Sequence, residues 1–115
     1  MQQHEKVTKL VAWFANAAQR HAQALEAMAE ESAAAEVADL TRYYRALQRE
    51  NGIVELLRLL DDSDPVVAGM VAVFAMREAP ERCVATLTVI AKQPGLIGFR
   101  AQAALERWDS GEWEK

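Results

Sequence analysis

A single cysteine, Cys83, means that no disulfide can form within this chain. The fold must therefore rest on its core alone, and one lone thiol suits a reducing compartment. Proline (3) and glycine (5) are scarce, while alanine is the commonest residue, and both facts favour helix. Basic residues are in deficit: the formal net charge is -4, against the basic face that a nucleic-acid partner selects for. Only two histidines occur, His4 and His21, and neither has a His or Cys three or four residues on to complete a metal pair. The start, MQQHEKVTKL, lacks a basic n-region followed by an apolar run, so no signal peptide is expected and the default location is cytoplasmic.

What is present is ordinary globular material, 51% hydrophobic and 26% charged over 115 residues, enough for one domain spanning 1–115. Its most apolar stretch, PVVAGMVAVFAM from Pro65 to Met76, holds twelve residues without a charged or hydrogen-bonding side chain. As a helix it would be roughly 18 Å long, well short of a bilayer core, so it reads as a core helix and not a membrane span. The acidic run Asp61, Asp62, Ser63, Asp64 stands directly before it, so water and interior meet within a residue or two.

Apolar spacing predicts six helices. Val7, Leu10, Val11, Phe14, Ala17, Ala18, Leu25 and Met28 recur at threes and fours in a first helix from Glu5 to Glu30. Ser32 reads as the N-cap of a second, which carries Val37, Leu40, Tyr44 and Leu47 and stops at Asn51-Gly52. A short third helix covers Ile53 to Leu60, and Asp64 with Pro65 at N1 opens a fourth that runs to about Arg77. Pro80-Glu81 starts a fifth through about Lys92, although CVATLTVIA within it has strand-like β-branched content. Gln93-Pro94-Gly95 breaks the chain, and a sixth helix runs from about Leu96 to Trp108 with Gly111 as its C-terminal cap.

Six helices joined by short turns invite a search for a repeat, and a shift of thirty residues aligns the chain with itself. Ile53 falls on Cys83, Leu57 on Leu87, Leu60 on Ile90, Val67 on Ile97 and Val71 on Ala101; backwards, Val67 falls on Val37 and Phe74 on Tyr44. The helix flanks give a second test. Arg42 and Arg45 lie on one outer flank and Arg100 and Arg107 on the other, while Ala68, Ala72 and Ala75 fill the middle. Three stacked hairpins, about 5–50, 52–78 and 80–110, with polar end caps predict that pattern.

A helix ending LLRLLDDSDPVV, with Asp-Pro opening its partner, is similar to HEAT-type repeats of the short class near thirty residues. From about Leu10 to Trp113 the chain resembles the small bacterial HEAT-like family known as domain of unknown function twenty-nineteen. The matching features are the turn at Leu59 to Pro65, Ala79-Pro80-Glu81-Arg82, and the ending Leu105-Glu106-Arg107-Trp108 with Gly111. The resemblance implies an all-α, HEAT/armadillo-like right-handed α-α superhelix with no assigned activity; separately, no residue pattern calls for a cofactor. One departure stands out: Ala68 and Gly98 occupy the position where HEAT repeats often carry arginine, so the Asp–Arg ladder of longer arrays lacks its cation here.

No arrangement of residues specifies a reaction, so the chain is expected not to be an enzyme. Cys83 near a helix start could be activated as a nucleophile, yet its inward position opposite Ile53 favours an inert thiol. Asp61, Asp62 and Asp64 lack the glycine and glutamate of a calcium loop, leaving a solvated turn with an N-cap. Arg42, Arg45 and Arg49 beside Tyr43 superficially suggest nucleic acid but are diluted by Glu36, Asp39 and Glu50. Trp13 and Trp108 fall on apolar stripes and read as core, whereas Trp113 in its acidic tail either folds back over the last hairpin or touches a partner.

The feature that remains is the face opposite the inward stripe: Val66, Gly69, Val73 and Met76 in the fourth helix. The thirty-residue shift maps it to Glu36, Asp39, Tyr43 and Ala46 before and to Leu96, Phe99, Ala103 and Glu106 after. Stacked, these would form a concave surface, apolar at its centre, unless the long first helix folds across it. The candidate binding residues are therefore Tyr43, Val66, Gly69, Val73, Met76 and Phe99. The expected role is non-catalytic binding of a protein, a peptide or a second copy of the chain, with inhibitor or immunity-type masking as a variant. A nucleic-acid-processing HEAT-like domain is the alternative from another class.

Overall fold

The computed structural model describes residues 2–113, and among them every regular element is helical. In order these are α1 (Gln2–Glu26), α2 (Glu30–Arg49), α3 (Ile53–Leu57) continued by a 3₁₀ turn (Arg58–Asp61), α4 (Pro65–Phe74), α5 (Pro80–Ile90) and α6 (Gly95–Ser110). None of these helices is long and apolar enough to cross a membrane. The chain forms two compact units, the first ending at Leu59 and the second beginning at Leu60. That boundary lies within the hairpin expected at 52–78.

In the first unit α1 and α2 pair along their length, with α3 packed on both. Phe14, Ala17, Ala18, Leu40 and Leu47 are fully enclosed, and the alanines let the two backbones approach closely. α1 stops at Glu26, short of the expected Glu30, because Met28 takes a left-handed backbone (φ 57°) and Ala29 N–H closes on the Ala24 carbonyl at 2.9 Å. Met28 is thereby thrown out of the apolar stripe to 86% exposure. α2 then begins at Glu30, with Ala29 at the cap position, so Ser32 lies inside the first turn and is not the N-cap. Glu30 and Glu31 supply the acid that a helix start favours. Its end is the expected one: Asn51 adopts φ 59°, a conformation asparagine tolerates better than most residues, and Gly52 N–H returns to the Leu47 carbonyl at 2.8 Å.

In the second unit α4 packs on α5 and α6, and α5 on α6. Asp64 caps α4 through its Oδ1, which accepts from Val66 N–H at 3.0 Å, and Pro65 occupies the first turn. α4 ends at Phe74, one turn before the expected Arg77, in a run of tight turns through Ala79. The β-branched stretch from Cys83 to Ile90 is helical in α5, and within it the Thr88 hydroxyl donates to the Val84 carbonyl at 2.7 Å. Gly111 (φ 81°) caps α6 with its own N–H and that of Glu112.

Burial tests the thirty-residue shift position by position. Leu57 and Leu87, Leu60 and Ile90, Ala68 and Gly98, and Val71 and Ala101 are all buried, so the forward shift keeps the inward phase at these positions, but it fails at others: Ala72 and Met76 are buried where Gln102 and Glu106 are exposed. The backward shift fails as well: Val37 is exposed where Val67 is buried, and Leu47 is buried where Arg77 is exposed. α2 buries its inward stripe against α1, a helix whose length has no counterpart among the later helices.

Gly98 is fixed by a close approach. A Cβ there would sit 1.8 Å from the carbonyl oxygen of Gln93, whereas one on Gly69 would meet only the Ile90 Cδ1 at 3.4 Å. Gly98→Ala should lower stability by about 1–3 kcal/mol or more through forced displacement of the α5–α6 turn. Gly69→Ala should be neutral or stabilising, since alanine is favoured over glycine within a helix by about 1 kcal/mol. Urea unfolding of the two variants checks the opposite signs.

Candidate functional site

The six candidate residues divide between the units: Tyr43 belongs to the first and the other five to the second. Tyr43 lies on α2 with its ring 5.8 Å from that of Trp13 on α1, inclined at 41°. The Arg42 guanidinium stands 5.7 Å from the Tyr43 ring centre and pairs with Asp39 at 2.9 Å. Further along, Arg20 Nε on α1 donates to Glu36 Oε2 at 3.1 Å, and this bond raises the Arg20 pKa. On α2, then, α1 does reach across the face that carries Glu36, Asp39 and Tyr43. Trp13 departs from the expectation of a core residue: at 48% exposure it is the outer half of an aromatic pair. Such pairs and exposed ion pairs each contribute about 1 kcal/mol or less, enough to fix α1 against α2 locally.

In the second unit the face is more open. Val66, Gly69 and Val73 are half-buried along α4, and Phe99 on α6 is 68% exposed with Leu96 beside it at 51%. Phe99 and Leu96 lie one turn apart on α6, which packs against α4. Met76 is the correction here: it is fully enclosed and lies beyond the end of α4, in the turn, so it cannot offer side-chain surface to a partner. A helical wheel places it outward only by assuming a helix that continues to Arg77; once the backbone leaves the helix, the 100° increment no longer holds.

The remaining chemistry is structural. Cys83 is completely buried, and burial pushes its thiol pKa up to about 11, the opposite of an activated nucleophile. His21 is buried in the α1 core stripe, and no group of three or more His, Cys, Asp or Glu among the described residues could hold a metal ion. The acidic run is used locally: Asp62 Oδ1 accepts from Asp64 N–H at 2.8 Å, and Asp64 caps α4. Arg42, Arg45 and Arg49 are exposed on α2, with Arg42 held by Asp39.

Trp113 folds back. Its ring meets Trp108 edge-on at 5.8 Å and lies 5.2 Å from the Arg107 guanidinium, and its carbonyl accepts from Arg77 Nη2 at 3.0 Å. Sequence alone leaves this open because Arg77 is 36 residues away. The chain matches no family model, no curated protein and no solved structure.

Cys83 makes a checkable pH dependence. An acid whose folded pKa lies above its ordinary value keeps its proton in the folded state after the unfolded state has lost it. Its contribution is therefore complete below about pH 9 and falls as pH rises toward about 11. Thermal melts of wild type and Cys83→Ala across that window should show the wild type losing stability more steeply. Thiol reagents at neutral pH should label Cys83 only after denaturation.

Proposed function

We propose that the chain is a non-catalytic protein- or peptide-interaction module, built on a HEAT-like pattern and binding through the outer face of α4 and α6. The observation that carries this is the exposure of Phe99 and Leu96 on α6, alongside the half-buried Val66, Gly69 and Val73 of α4. Aromatic and aliphatic side chains grouped on one surface are the usual anchors of a protein interface. The HEAT-like reading is supported by the Asp64–Pro65 start, by the successive packing of α4, α5 and α6, and by the shared burial of Leu57 with Leu87, Leu60 with Ile90 and Val71 with Ala101. Groups that could carry chemistry are spent on structure, which favours binding: the Cys83 thiol is buried and high in pKa, and Asp62 and Asp64 close the acidic turn and cap α4. A buried reduced thiol also suits the cytoplasm.

Phe99→Asp tests the face. Because the side chain is exposed, the substitution should shift folding stability by no more than about 0.5 kcal/mol. A partner retained by immobilised wild-type protein should be lost by the variant. Equal recovery by both would remove Phe99 from the interface and with it the face assigned here.

A further inference from the structure

Away from that face, Trp113 is held by residues from two other segments of the second unit. Gly111, at φ 81°, reverses the chain after α6, and Glu112 N–H closes on the Arg107 carbonyl at 3.0 Å. The turn delivers Trp113 between three groups: the Arg107 guanidinium over its ring, the Trp108 edge, and Arg77 at its carbonyl. Arg77 comes from the turn after α4, and Arg107 and Trp108 from the last turns of α6, so two separate segments grip one residue. Arg100 lies roughly two turns before Arg107 on α6. Among the described residues neither Arg100 nor Arg107 forms an ion pair with an acid. The like charge of Arg107 also depresses the Arg100 pKa, after desolvation.

We infer that Arg77, Arg107 and Trp108 form a recognition slot for an acidic peptide segment carrying an aromatic side chain, and that Glu112–Trp113 fills this slot in cis. The Gly111 turn sets up the Arg107 and Trp108 contacts in cis, but the groups that make all three contacts are chemically general. A carbonyl for a charged donor, a ring face for a guanidinium and a ring for an aromatic edge are offered by any acidic aromatic peptide. The guanidinium groups of Arg77 and Arg107 favour an acidic segment over a basic one, and the sequence flanking Trp113 supplies Glu112 and Glu114. The tether alone favours the internal segment, acting as an effective concentration of about millimolar for so short a connection. A partner segment must displace it, so the internal copy sets the threshold for binding. This reading does not rest on the Phe99 face and stands or falls separately.

The test uses the 115-residue chain and the fluorescently labelled peptide DSGEWEK, which copies positions 109–115. Trp113→Ala should bind it roughly ten-fold or more tightly than wild type, because the competing internal residue is gone. Rising salt should weaken binding. Adding Arg107→Gln to Trp113→Ala, or replacing tryptophan by alanine in the peptide, should abolish the gain. Equal affinity of wild type and Trp113→Ala, or no binding by Trp113→Ala, would overturn the slot. A second readout leaves every slot residue in place: fluorotryptophan-labelled wild type, titrated with peptide, should show the Trp113 fluorine signal moving to its solvent position. A signal that stays fixed at saturating peptide would count equally against the proposal.

Discussion

The second unit is organised by the need to cover α4. A ten-residue helix without a single charged or hydrogen-bonding side chain has no polar face to offer water, so its neighbours must be found elsewhere. Val67, Ala68, Val71 and Ala72 are buried along it, with α5 and α6 packed against it. Small residues make this possible. Ala68, Ala72, Ala101, Ala104 and Gly98 keep side-chain volume low where helices meet, and the backbone of the α5–α6 turn comes close enough to Gly98 to exclude even a methyl group. What α5 and α6 leave half-covered on α4 includes Val66, Gly69 and Val73, and on α6 Leu96 and Phe99 stay exposed.

The first unit solves a similar problem with length. α1 and α2 are more than twice as long as α3, and each is amphipathic, so they can bury one stripe against the other and keep charge outside. Their outer edge is held by an aromatic pair and ion pairs, none of them strong alone. The backward half of the thirty-residue shift breaks down for the same reason: α2 answers to α1, a helix whose length has no equivalent later in the chain. Helical phase is set by the partner, and a different partner rotates the buried stripe.

Signals acting within one helical turn were legible. Asp64-Pro65, Pro80, Asn51-Gly52 and Gly111 all mark ends the structure has, because caps and left-handed residues satisfy backbone groups that any helix end leaves open. Ser32 misleads because a good capping residue is also tolerated in a first turn, and the short connection from α1 has already restarted the helix. In the candidate face, the exposure of Phe99 agrees with the outward position that the thirty-residue shift gives it. Met76 does not keep its outward position, since its burial follows from α4 ending three residues sooner than its composition suggests.

Propensity, capping and periodicity each read only neighbours along the chain, and they suffice to make this protein all-helical. They also place most helix ends and require that the stretch at Pro65 be covered. How much of that apolar segment stays open is a matter of tertiary packing. α5 and α6 cover one side and leave Val66, Gly69 and Val73 half-exposed, the turn after Phe74 takes Met76 inside, and Trp113 meets Arg77 across 36 residues. Burial depends on which distant segment arrives to pack, and periodicity records only that some face must be buried, not which partner does it.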